Sequence, residues 1–250
     1  MKKFIFLFIL LPFLTFAQIN QKDAKGRKQG VWQKNYPNSN VLIYKGQFKD
    51  DIPVGEFTYY YPTGEVRTII EHIPNSKRSY GYYYHKNKEL MSEGPFWDQK
   101  KDSVWANYNP EGYVIGTEEY KDDKLNGKKV LYYLRSQQES GKMDVLSIAN
   151  YKDSLLNGEF NEFFSNGKLK KAGNYSKGLK TGEWREFDMN GILIGKVRYK
   201  DGLPHGWAYA FNSKGLKINE TLYQNGVSLR GKELEEFLLK CEKQGINPNQ

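Results

Sequence analysis

The sequence predicts an all-β protein, an elongated antiparallel meander of about eight 24-residue β-hairpin repeats with a C-terminal capping helix. Three observations predict it. The stretch from Gly182 to His205 recurs along the chain, with starts at Gly30, Gly55, Ser79, Ser103, Gly127, Gly158, Gly182 and Gly206. The spacing is 24 or 25 residues, except for seven extra residues between Gly127 and Gly158. Counting each start as offset zero, offset seventeen (allowing for the insertions) holds Phe48, His72, Phe96, Tyr120, Tyr151, Tyr175, Tyr199 and Tyr223. All but His72 are Phe or Tyr in a chain that is 15% aromatic, so chance does not explain the pattern. Third, turn dipeptides such as Asn166-Gly167 and Asn190-Gly191 fall at matching places between two extended segments.

In chain order, Met1-Lys2-Lys3, an apolar run from Phe4 to Leu14 and then Thr15-Phe16-Ala17 read as a signal peptide over residues 1–17. The run is too short to span a bilayer, and no transmembrane helix is expected in the mature chain. The expected mature protein starts at Gln18, is exported, and resides in the periplasm or outside the cell. Residues 18–230 form the repeat array, with Gln18 to Gln29 as a lead-in that resembles half a repeat.

Each repeat splits into two segments. The first carries a ring at offset five (Tyr60, Tyr84, Tyr108, Tyr132, Phe163, Phe187, Phe211). The second alternates, as in Leu193-x-Gly195-x-Val197-x-Tyr199, the period of a strand with one buried face. Gly and Asn between the segments tolerate positive φ and mark hairpin turns. Gly178, Gly202 and Gly226, or Asp51 and Asp123, mark the turns between repeats. A single hairpin cannot bury its own apolar face, so neighbouring copies must share a core. Residues 231–250 supply the cap. Leu234, Phe237, Leu238 and Cys241 recur at helical spacing, with Glu233, Glu235 and Glu236 near the start and Lys240 and Lys243 near the end, as the helix dipole favours. The tail from Asn247 to Gln250 is expected to fray.

Composition narrows the function classes. The formal net charge of +9 becomes +7 once Lys2 and Lys3 are removed, and no run of five basic residues appears. Diffuse basicity of this kind lacks a nucleic-acid footprint. Cys241 is the single cysteine, so no intramolecular disulfide can form and packing alone must hold the fold. The 19 Tyr, 14 Phe and 5 Trp are the means expected to do so.

The pattern Gly-Glu-Trp-x-x-Phe, then Asn-Gly-x-Leu, then Gly-x-Tyr-x-x-Gly-x-x-x-Gly resembles the MORN repeat in its bacterial variant form. Residues Gly173 to Trp184 carry the resemblance best. Gly81 and Lys129 depart from it by replacing the first ring of their repeats, and Trp207 is shifted by one. The resemblance implies a β-hairpin ribbon and a non-catalytic role in binding or assembly. Bacterial relatives are often labelled antitoxins; an export signal fits that intracellular role poorly, and an antitoxin-like role stays as an alternative.

Candidate chemistry is sparse. His72, His85 and His205 occupy different offsets, no Cys/His spacing suits a metal, and no nucleophile sits in a catalytic motif, so the reading is no enzyme, no metal and no cofactor. Asp50-Asp51 and Asp122-Asp123 read as turn residues. If the strands are straight, Tyr59, Tyr61, Tyr83, His85 and Trp97 form an aromatic patch on the second face, suited to a sugar or a protein; a buried second face or a cross-strand aromatic ladder is the competing reading. The insertion Ser136 to Asp144 reads as a polar surface loop. The expected partner is a protein, with a glycan, cell-wall or anionic-lipid surface as alternatives and nucleic acid excluded.

Overall fold

The computed structural model describes residues 18–249, so the expected signal peptide lies outside the described residues. Those up to Pro74 form one compact unit and those from Asn75 another. The first contains β1 (Gln21–Lys22), β2 (Lys28–Asn35), β3 (Leu42–Lys49), β4 (Ile52–Tyr60) and β5 (Val66–His72), each antiparallel to the next. The second continues the same pattern with β6 (Arg78–Tyr84), β7 (Leu90–Trp97), β8 (Lys100–Lys101), β9 (Ser103–Tyr108), β10 (Val114–Lys121) and β11 (Lys124–Tyr132). After α1 (Leu134–Ser140) come β12 (Val145–Lys152), β13 (Leu155–Phe163), β14 (Leu169–Ser176), β15 (Leu179–Phe187) and β16 (Leu193–Lys200). The chain ends with β17 (Leu203–Pro204), β18 (Gly206–Phe211), β19 (Lys217–Gln224), β20 (Val227–Leu229) and α2 (Gly231–Gln244). Within each compact unit the strands form the antiparallel meander that the repeat predicts.

Two kinds of turn alternate. Between repeats, except for the longer loop from β5 to β6, the loops are two residues long and both residues are left-handed: Asp50/Asp51 at φ 55° and 67°, Asp122/Asp123 at 49° and 66°, Asp201/Gly202 at 50° and 83°. This is the twist-matched hairpin turn, which favours Asp, Asn and Gly. Within repeats the turn is wider. Phe164 N–H bonds to Lys168 O, Gly167 N–H to Phe164 O, and Gly167 alone is left-handed. Asn166 and Asn190 are therefore not held at positive φ; Asn166 instead accepts from Lys168 N–H through its side chain.

Each two-residue turn from Asp122/Asp123 onward also ties back to its predecessor. Asp123 N–H bonds to Lys101 O, Ser154 to Leu125, Gly178 to Leu156, Gly202 to Lys180 and Gly226 to Pro204. Where that residue has a polar side chain, a second bond forms: Asp123 Oδ1 accepts from Lys101 N–H at 2.7 Å.

The repeat-start glycines have a local cause. A bulge breaks the register there, as between Ala172 and Asn174 opposite β15, and the start residue is left-handed (φ 66° at Gly182, 107° at Gly158). The bulge sets the ring at offset two flat over a glycine of the preceding strand. A Cβ at Gly46, Gly94 or Gly173 would collide with the ring of Phe57, Trp105 or Trp184. These rings are the core, 3%, 0% and 4% exposed. Neighbouring rings pack edge-on, Phe96 against Trp105 and Tyr175 against Trp184, both at 5.0 Å.

Every repeat with Trp at offset two has a lysine four residues earlier lying over that ring. Lys28 is 4.9 Å from Trp32, Lys101 is 4.0 Å from Trp105 and Lys180 is 4.4 Å from Trp184. Burial against the rings pushes Lys101 and Lys180 below the ordinary lysine value.

Two expectations need correction. The insertion is not a plain loop. It holds α1, ended by Gly141 in the left-handed conformation and clamped by Gln137, whose side-chain amide donates to Val114 O and accepts from Val114 N–H as a strand neighbour would. The C-terminal tail is tied down, because Asn249 Oδ1 accepts from Trp207 N–H at 2.9 Å. The cap itself is α2, with Cys241 buried on its apolar side and Gly245 closing its end.

Candidate binding surfaces

Of the five residues singled out from the sequence, Tyr59 and Tyr61 lie in the first compact unit and Tyr83, His85 and Trp97 in the second. Tyr59 follows the buried Phe57 by two residues, lies on its side of the strand, and packs against Tyr44 at 6.0 Å. Tyr61 sits in the turn after β4, its N–H bonded to Glu65 O. In the second compact unit, Tyr83 packs against Trp105 at 5.8 Å, on the core side. His85 belongs to a turn, with Nε2 3.2 Å from Tyr108 O. A carbonyl only accepts, so Nε2 carries the proton. Trp97 alone is on the opposite face and exposed, at 43%.

The second-face patch is therefore corrected: Tyr59 and Tyr83 leave it for the core side, and Tyr61 and His85 for turns. The reason is the identity of the buried face. Offsets two and four point to the core, whereas the sequence reading took the recurring ring at offset five as the inner one.

Cross-strand register shows what does accompany Trp97. Arg78 pairs with it, Tyr80 with Pro95, and Tyr82 with Glu93. The Arg78 guanidinium lies 5.6 Å from the Trp97 ring centre. Tyr80 and Tyr82 contact each other at 5.0 Å, and Tyr108 OH donates to Glu93 Oε1 at 2.7 Å. Burial and the Glu93 carboxylate push the Tyr108 phenol up to about 12. Sequence alternation could have found Tyr80 and Tyr82, since they share parity with Arg78.

A second surface lies on the core side, where the ring-over-glycine pattern fails. Opposite each other at the equivalent positions stand Glu118 and Lys129. Lys129 Nζ is 2.7 Å from Glu118 Oε1; Tyr120 OH and Asn107 Nδ2 donate to Oε2 at 2.9 and 3.2 Å. Burial alone would raise the Glu118 carboxyl, but these donors outweigh it and hold it below its ordinary range. Burial and the Glu118 bond push Tyr120 up to about 12. Beside this pair opens a groove of about 370 Å³, walled by Met91, Ile115 and Leu131.

A third feature is a row of aliphatic side chains at the first position after successive inter-repeat turns. Leu155, Leu179, Leu203 and Val227 are 51%, 50%, 49% and 64% exposed. Among the described residues no group of three His, Cys, Asp or Glu side chains is placed to hold a metal, and no helix is long and apolar enough to cross a membrane.

No curated protein matches the chain. Among solved structures it is similar to TarM, at 13% identity and a TM-score of 0.25 over 57% of this chain and 19% of that one. It is likewise similar to a TarM mutant of S. aureus in complex with Fondaparinux, alpha-GlcNAc-glycerol and UDP, at 11% identity and 0.26 over 60% and 21%. A porin-like protein from Bacteroides uniformis gives 7% identity and 0.20 over 80% and 91%. The chain thus spans less than a quarter of either TarM chain. The sequence profile described as the MORN repeat variant matches residues 53–73, 156–177 and 180–201, three of the hairpins described above.

Proposed function

We propose that this is an exported, non-catalytic repeat protein whose hairpin sheet presents a binding surface to a protein partner. The observation that carries the reading is the outward face of β6, β7 and β9. There a half-exposed Trp97 stacks with Arg78, and Tyr80, Tyr82 and Tyr108 surround Glu93. Aromatic residues and arginine dominate the energetic centres of protein interfaces. The exposed aliphatic row from Leu155 to Val227 supports the same reading, since large exposed apolar patches mark interaction sites. Export rests on residues 1–17, whose charged start, apolar run and Ala17 have the form of a signal peptide.

Crosslinking mass spectrometry in the native cell tests this reading directly. It should return a protein crosslinked near residues 78–108, and replacing Trp97 and Arg78 together by Ala should abolish that crosslink. Recovery of envelope glycan or anionic lipid in place of protein would overturn it, as would an intracellular toxin. A mature protein that does not begin at Gln18 would overturn the export site.

A further inference from the structure

The groove on the core side occupies a position that the two repeats starting at Gly55 and Ser79 fill with a tyrosine ring. At offset four, Tyr59 stands across from Thr68, and Tyr83 across from Ser92; both small partners are buried, 4% and 8% exposed. In the next repeat the partner shrinks to Gly116, yet the offset-four residue is Asn107, which carries no ring. The space remains, about 370 Å³, within the ~300–1,000 Å³ typical of ligand pockets.

Two further departures from the repeat meet at this place. The ring-over-glycine pair becomes Glu118 and Lys129, and the one long insertion in the array places α1 against Val114, next to Ile115 in the groove wall. Local rules tend to be broken where function requires it.

The chemistry of the lining selects the ligand. Met91, Ile115 and Leu131 give apolar walls, and Asn107, Glu118 and Lys129 give a polar end. Glu118 already accepts a phenol hydroxyl from Tyr120, and Glu93 one from Tyr108, so tyrosine-to-glutamate bonding recurs in this protein. We propose that the groove receives a tyrosine side chain of the protein partner, its ring on the apolar wall and its hydroxyl at the Glu118–Lys129 pair. This rests on the protein-partner reading and adds what that partner must present.

The test is a titration of the full mature protein with N-acetyl-tyrosinamide, followed by amide NMR shifts, with N-acetyl-alaninamide and methyl glucoside as comparison probes. The expected result is saturable shifts at Gly116 and Leu131 with the tyrosine probe alone. Asn107→Tyr, which restores the missing ring, should weaken that binding roughly tenfold or more. If that variant does not fold, Met91→Trp enlarges another lining residue of the groove and should act likewise. No saturable shift, equal shifts with the glucoside, or unchanged affinity in a folded groove-filling variant would each overturn the proposal. A small probe makes the outcome independent of the crosslinking result, so failure of the groove and failure of the partner reading can be told apart.

Discussion

Two stretches of the second compact unit run the same hairpin design to different ends. In residues 158–199, Phe160, Tyr175, Trp184 and Tyr199 pack in series, with Trp184 flat over Gly173 and Lys180 above it. In residues 103–132, the ring series ends at Tyr120, and the next position is an ion pair beside an open groove. The backbone scarcely registers the change, since both stretches keep the bulge and the two-residue turn. Hydrogen bonds and left-handed turn residues thus maintain the hairpin while core side chains vary, which frees one repeat to differ.

Breaking the intact stretch should have the largest effect. Trp184→Ala removes a ring that is 4% exposed and should lower stability by about 3–5 kcal/mol, read as a fall in the urea midpoint. Converting the second stretch to the design of the first is the sharper test. Glu118→Gly combined with Lys129→Trp replaces a partly buried ion pair by ring over glycine and should raise stability by about 1–4 kcal/mol while closing the groove. A loss of stability in that double variant would show that the hairpins are not equivalent.

Acid should discriminate the stretches next. The Glu118 carboxyl sits below its ordinary value of 4.5 in the folded protein, so its contribution is fully present at neutral pH. It is lost as pH falls from about 4.5 through the lower folded value. Glu118→Gln should flatten that part of the stability-versus-pH curve. Lys180→Met, which keeps the stem but removes the charge over Trp184, should cost about 0.5–1 kcal/mol. Smallest of all, Lys124→Ala deletes the exposed pair with Asp153, whose side chains are 61% and 59% exposed, and should change stability by less than about 0.5 kcal/mol, vanishing in high salt.

The sequence announced the hairpins because their turns need special residues. Positive φ at Gly182 or Asp201 leaves a visible mark in the chain. It did not announce which face is inside. Period-two alternation defines two faces without ranking them, and the true core position, offset two, is interrupted by Gly81, Lys129 and Ala208. The ring at offset five recurs in more repeats, and this misplaced Tyr83. His85 was misread for another reason. Its role is a bond to Tyr108 O, 23 residues away, and nothing local to His85 signals it. The lysines over Trp32, Trp105 and Trp184 were visible as Lys-x-x-x-Trp, but helical habit gives that spacing no meaning in a strand; only the bulge brings the two side chains together. The groove was half legible, since Lys129 already stood out as the wrong residue for its place.

The tie from one two-residue turn to the one before it has a consequence for how such a chain can change length. Gly178 hooks onto Leu156 and Gly202 onto Lys180 through main-chain atoms alone. A coupling that asks nothing of side-chain identity accepts any copy as its neighbour. Whole modules can therefore be duplicated or excised at these joints during descent, each newcomer free to diverge in its rings because its attachment was never written in them.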